Sequence, residues 1–199
     1  MQTATQRGLA RVIFIIDKSA SRFTVQAFAT GLLSSFGHNP TIGIRDYEGV
    51  IQFTPETFAN ASVRMSLKTT GLDLLDEMKS SDRKQLEQAM YGQVLDVEHF
   101  PTAIYESSDA RVEKPANGPL LARVNGALTF HGVTQNQPLE ARIVELGSML
   151  RISGEFGIRQ SDFGIKPVSF AAGALRLKDE IKFRFELVAR RQDEAVPAA

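Results

Sequence analysis

Apolar and charged residues alternate most cleanly near the end of the chain, from Glu180 to Arg191. Ile181, Phe183, Phe185, Leu187 and Ala189 are interleaved with Lys182, Arg184, Glu186 and Arg190, and only Val188 breaks the order. A period of two places one set on each face of a β-strand. The same grammar recurs upstream. Val63, Met65 and Leu67 oppose Arg64, Ser66 and Lys68; Val124, Leu128 and Phe130 oppose Arg123, Asn125 and Thr129. Leu139, Ala141 and Ile143 oppose Glu140 and Arg142, and Ile152, Phe156 and Ile158 oppose Arg151, Ser153 and Glu155. Phe23, Val25, Ala27 and Ala29 form one face of a further strand, with Thr24 and Gln26 on the other. Val12 to Ile16 is an uninterrupted apolar run rich in β-branched residues, read as a strand covered on both sides. Ile42 to Phe53 is a strand bent near Gly49, and Thr102 to Ser108 is another.

One segment changes period. Leu86, Ala89, Met90 and Val94 fall at i, i+3, i+4 and i+8, one stripe of a helix. Asp82 with Gln85 resembles a capping box and Gly92 a stop, so the helix is expected to begin at Asp82. Gly31 to Asn39 is an apolar turn or loop, with Leu32, Leu33 and Phe36 at helical spacing, read equally as a plug or a lid for one end of a core. The segments from Pro55 to Asn60 and Val112 to Pro119 are loops; His131 to Thr134 is a hairpin turn; Ser161 to Ile165 is a turn carrying Phe163. Roughly eight strands joined by hairpins, plus one helix, predict a mainly β fold: an extended eight-stranded antiparallel barrel, which leaves no free sheet edge. Such a barrel is just wide enough to be packed by its own side chains or to hold one small ligand.

Length sharpens this little. The 199 residues fit one domain over 11–191, with a flexible N-terminus at 1–10 and a disordered tail at 192–199. Twenty-three basic and 23 acidic residues cancel, so bulk charge points to neither nucleic acid nor an anionic membrane. The chain has no cysteine, which removes disulfides, thiolate nucleophiles and cysteine metal sites. No apolar run approaches the roughly 20 residues of a membrane span, and Val12 to Ile16 is too short for a secretory core. The expectation is a cytoplasmic protein, or a periplasmic one if a leader has been removed.

Catalytic chemistry finds little support. His38, His99 and His131 lack helical metal spacing, and neither HExxH nor GxSxG occurs. His131 reads as a structural turn residue, His99 as surface, and Ser161 with Asp162 as a turn cap. Asp73, Asp76 and Glu77 lack the spacing of a calcium loop. No metal site and no enzymatic activity are expected. Periodicity alone favours a packed core for the apolar stripes.

Three motifs add to this reading. Asp96 to Thr102, "DVEHFPT", followed by Ile104, Tyr105, Glu106 and Ser107, is similar to a "DVEKYPTITFxS" pattern. Gly126 to Thr134, "GALTFHGVT", is similar to "GxLTIHGVTKPV", and Ser161 to Ile165, "SDFGI", to "RxDFGI". In this order they resemble the YceI family, over most of the chain from about Arg11 onward. The helix and the Gly37-His38-Asn39-Pro40 loop depart from the family's usual sequences. The resemblance implies a lipocalin-like barrel associated with polyisoprenoid or other long amphiphilic ligands. It turns the stripe into a cavity lining: Phe23, Val25, Ala27, Leu32, Phe36, Met65, Leu67, Leu128, Phe130, Phe156, Ile158, Phe163, Phe183 and Phe185. Arg22, His38 and Asn39 are then the candidates for the mouth. The function so implied is binding or carriage of a polyprenyl chain, an isoprenoid quinone or a fatty amphiphile, with no other cofactor. Two alternatives stand beside it: an enzyme acting on a hydrophobic substrate inside the barrel, and a solid scaffold working through a homodimer.

Overall fold

Why the apolar stripes converge is plain from the strand register. In a computed structural model, which describes residues 11–30, 39–166, 169–170 and 175–192, they turn toward one barrel interior from Phe23, Val25 and Ala27 round to Ile181, Phe183 and Phe185. The strands are β1 (Val12–Ile16), β2 (Arg22–Thr30), β3 (Thr41–Ile44), β4 (Tyr47–Phe53), β5 (Ser62–Lys68) and β6 (Leu72–Leu74), then β7 (Thr102–Glu113), β8 (Leu120–Phe130), β9 (Val133–Leu146), β10 (Met149–Arg159), β11 (Ser169–Phe170) and β12 (Leu175–Arg191). β1 with β2, β3 with β4 and β5 with β6 are each one long strand broken by a bend. With β11 a two-residue addition to β12, the result is a closed antiparallel barrel of eight strands. Closure is made by β12, which pairs with β10 on one side and with both β2 and β1 on the other. Leu32, Phe36 and His38, the lid or plug at Gly31 to His38, and both chain ends fall outside the described residues.

The bends depend on charged side chains far apart in sequence. In the first, Asp17 accepts from the Ser19 amide at 3.1 Å and from Arg190 Nε at 2.7 Å, tying the turn to β12. The second lies at Arg45 and Asp46 rather than near Gly49. There the Asp46 carboxylate accepts from Lys18 Nζ at 3.1 Å and Lys68 Nζ at 3.2 Å, so one residue binds all three bends together. The two lysines hold that carboxyl below the usual range. Gly71 passes so close that a Cβ there would lie 2.5 Å from Asp46 Cβ.

The helix α1 (Ser80–Gln88) continues into a π-turn over Ala89–Val94. It starts two residues before Asp82, with Lys79 as N-cap and no side-chain capping bond, and it runs through Gly92. The expected capping box and stop are therefore not used. Its tertiary anchors replace them. Arg83 donates from Nη1 to the Leu74 carbonyl at 2.8 Å and from Nη2 to that of Asp76 at 3.0 Å, while the Tyr91 hydroxyl donates to Leu72 O at 2.6 Å. These bonds occupy carbonyls of β6 and of Asp76 just after it, where the β3–β6 extension of the sheet ends. Outside, charged side chains pair across neighbouring strands: Glu155 takes Lys182 at 2.7 Å and Arg184 at 3.4 Å, and Arg123 bridges Glu113 and Glu140.

Other local expectations are adjusted too. β7 runs on to Glu113 through a bulge between Glu106 and Asp109, shortening the loop that follows. Phe170 belongs to β11 rather than to a loop. His131 forms the β8–β9 turn with φ 49°, its Nδ1 3.2 Å from the Phe163 carbonyl and its ring 4.2 Å from that of Phe100, so its role there is structural.

Candidate functional site

The barrel is hollow. A cavity of about 270 Å³ runs between its ends, which sets aside a solidly packed interior. Phe23, Val25 and Ala27 of β2 line it, together with Met65 and Leu67 of β5, Leu128 and Phe130 of β8, Phe156 of β10, and Phe183 and Phe185 of β12. These are the strand positions expected from alternation. Ile158 and Phe163 are buried without lining the cavity; Phe163 is 2% exposed and packs 5.6 Å from Phe130. Leu32 and Phe36 lie outside the described residues.

Two glycines keep the wall from filling the lumen. Gly126 of β8 faces inward beneath the Tyr105 ring, and a Cβ there would lie 2.4 Å from its Cζ and Oη atoms. Gly154 of β10 plays the same part for Phe185, whose Cζ would be 2.5 Å from an added Cβ. Each ring therefore lies along the wall instead of projecting from it. Phe156 and Phe183 stack in parallel with centroids 4.7 Å apart, and Phe23 meets Tyr47, Phe183 and Phe185 at 5.8, 6.1 and 6.3 Å. The helix closes another part of the wall with the predicted stripe of Leu86, Ala89, Met90 and Val94.

Three polar side chains away from the rim have backbone partners. Thr69 Oγ1 donates to Phe100 O at 2.8 Å, Gln160 Nε2 to Lys178 O at 3.0 Å, and the Tyr105 hydroxyl to Gln137 O at 3.1 Å. Burial pushes the Tyr105 phenol up to about 12, so it stays protonated and neutral. Glu145 is the lining residue with an ionisable carboxylate, and it is exposed at one rim. This wall offers apolar burial, with its interior hydrogen bonds already made.

That rim lies at the end carrying the β4–β5, β7–β8 and β9–β10 connections, where Phe58, Ala61, Ser62, Val112 and Leu120 also line the cavity. Phe58 adopts φ 54° and packs 5.5 Å from Phe53. Alternation marks this segment only as a loop; the signal for its role is an isolated phenylalanine within it. The mouth residues expected from sequence fare differently. Arg22 precedes an inward Phe23 and so points outward, into a polar hollow with Thr24, Gln26, Lys182, Arg184 and Glu186, rather than to the mouth. Asn39 is exposed beside Pro40, which lines the cavity at the opposite end; His38 is outside the described residues. His99 is exposed and bonds Asp96 at 2.8 Å, which raises its pKa. Among the described residues no group of three or more His, Asp or Glu side chains is placed to hold a metal ion, and no helix is long and apolar enough to cross a membrane.

Comparison with known proteins converges on one architecture. No curated protein sequence matches the chain significantly. Among solved structures, BcnA of Burkholderia cenocepacia is similar at TM-score 0.67 and 20% identity, over 87% of this chain and 98% of that one. A polyisoprenoid binding domain from Saccharophagus degradans, implicated in plant cell wall breakdown, is similar at TM-score 0.62 and 12% identity, over 93% and 100%. The YCEI protein of Campylobacter jejuni is similar at TM-score 0.58 and 20% identity, over 79% and 88%. At such identities the likeness carries the fold. The family model for the YceI-like domain matches residues 14–189, nearly the whole barrel, and the chain belongs to that family.

Proposed function

We propose that this protein binds and carries a long apolar amphiphile of the isoprenoid type, a polyprenyl chain or isoprenoid quinone, in the barrel cavity. The observation that carries the reading is a hollow lumen whose wall is apolar and whose polar side chains Thr69, Tyr105 and Gln160 are already satisfied by the backbone. Such a wall rewards an alkyl or isoprenoid chain, at about 0.8 kcal/mol per methylene removed from water, and gives a polar substrate nothing in return for its lost hydration. The similarity to a polyisoprenoid binding domain supports the ligand class. The cavity reaches the rim at Glu145, where a head group can remain in water while the chain is buried. Tightness comes from chain length and shape, and discrimination from the rings of Phe23, Phe156, Phe183 and Phe185.

Native mass spectrometry of protein purified without detergent, followed by organic extraction, tests this. The expected result is a stoichiometric isoprenoid species released on extraction. Empty protein that also fails to take up a fluorescent polyene or a quinone refutes it.

A further inference from the structure

The large apolar residues most exposed on the barrel are Ile15, Leu121, Val144 and Leu146, at 40, 39, 44 and 43%. All four lie on the outer face near the rim that Glu145 lines. Val144 and Leu146 flank Glu145 on β9, and Leu121 follows the cavity-lining Leu120 on β8. Strand register joins them: Leu146 pairs with Met149, Met149 with Arg190, and Arg190 with Ile15. Cations are woven through the patch. Leu121 stands opposite Arg142 and Val144 opposite Arg151. Neither Arg142 nor Arg151 makes an ion pair among the described residues, whereas nearby Glu113 and Glu140 are both engaged by Arg123.

From this arrangement we infer that the Glu145 end of the barrel docks on an anionic lipid bilayer. Apolar side chains enter the boundary between head groups and acyl chains, and Arg142 and Arg151 meet lipid phosphates. The mouth of the cavity then opens at the membrane surface, the source of a long apolar chain. The bulk charge of zero does not register these two unpaired arginines, which stand on the outer face, whereas the Glu145 carboxylate of the same rim belongs to the lumen lining. A second copy of the chain fits the patch less well. Isologous pairing on this small patch sets arginines against arginines, and a few side chains fall well short of the roughly 800 Å² per partner that a stable interface buries. Docking is independent of the cavity's cargo; only its purpose rests on the proposed function.

Co-sedimentation with vesicles containing no isoprenoid separates the two. The protein is expected to bind phosphatidylglycerol–phosphatidylcholine vesicles, to bind pure phosphatidylcholine much less, and to be released by salt. Arg142→Gln with Arg151→Gln should lower partitioning roughly thirty-fold, and Leu121→Ser with Val144→Ser should also weaken it, with melting temperatures unchanged because all four side chains are exposed. Absence of binding to the anionic vesicles, or binding that neither double variant alters, overturns the proposal. So does a dimer in analytical ultracentrifugation that the serine variant dissociates, which assigns the patch to a second copy.

Discussion

Replacing Gly126 by alanine tests how the lumen is kept open. The new methyl would sit 2.4 Å from Tyr105 Cζ and Oη and 2.8 Å from the Glu106 carbonyl oxygen. The carbonyl belongs to the β7 wall and cannot retreat, so the ring must move. Moving it breaks the hydroxyl's bond to Gln137 O and leaves a buried phenol unsatisfied, which costs about 1–3 kcal/mol. Residual overpacking adds a similar amount. A total of about 2–4 kcal/mol lowers the melting temperature of a domain this size by roughly 5–15 °C. The displaced ring turns into the lumen, so uptake of a fluorescent polyene should fall as well.

Circular dichroism melts of four proteins decide the matter: wild type, Gly126→Ala, Tyr105→Leu and the double variant. If the Tyr105 ring is the obstacle, alanine at 126 costs much less in the Tyr105→Leu background, with a coupling of more than about 1 kcal/mol. A melting temperature for Gly126→Ala within about 2 °C of wild type, or strictly additive effects, refutes the reasoning.

Three further outcomes are expected. Asp17, held at about 2 by its bonds to Ser19 and Arg190, has a folded value below its unfolded one. It therefore stabilises above about pH 4 and loses that contribution as pH falls towards 2, so Asp17→Asn should be less stable at pH 7 in urea titrations, with the difference vanishing near pH 2. Tyr105 has the opposite sign for alkali: its folded value near 12 exceeds the unfolded 10, so stability falls as pH rises from 10 to 12, and Tyr105→Phe should flatten that fall. Ala141 faces the lumen, and Ala141→Phe should fill part of the void, leaving a cooperative melt while cutting polyene uptake by an order of magnitude or more; uptake equal to wild type would remove this stretch of wall from the site.

Alternation makes most of the wall legible in the sequence alone. The inward Ile181, Phe183 and Phe185 are read directly from β12, and the stripe of Leu86, Ala89, Met90 and Val94 from a change of period. What alternation hides is anything decided between distant residues. The bend at Asp46 depends on Lys18 and Lys68, so local sequence favoured Gly49 instead. The helix starts at Ser80 because Arg83 and Tyr91 bind carbonyls of Leu72, Leu74 and Asp76, not because a residue caps it. Arg22, expected at the mouth, is one residue from the inward Phe23, and a one-residue step along a strand reverses its face. Gly154 is legible as a small inward residue that can leave room, but the rings that lie over it and over Gly126 are set by cross-strand pairing that local sequence does not carry.

Those rings bear on why the void is tolerated. An eight-stranded barrel can be packed solid, and this one has the phenylalanines to do it. The inward Gly126 and Gly154 draw Tyr105 and Phe185 against the wall, while Ala122 and Ala141, paired across β8 and β9, leave depth on the facing side. At about 24 cal/mol per Å³, a void of 270 Å³ forgoes about 6 kcal/mol of packing, as much as many domains have in total. Water recovers little of this, since an apolar cavity offers it few bonds. An apolar chain recovers much of it through contact with the same side chains. Occupancy and stability are thus linked: the void that weakens the empty barrel is the room its cargo fills.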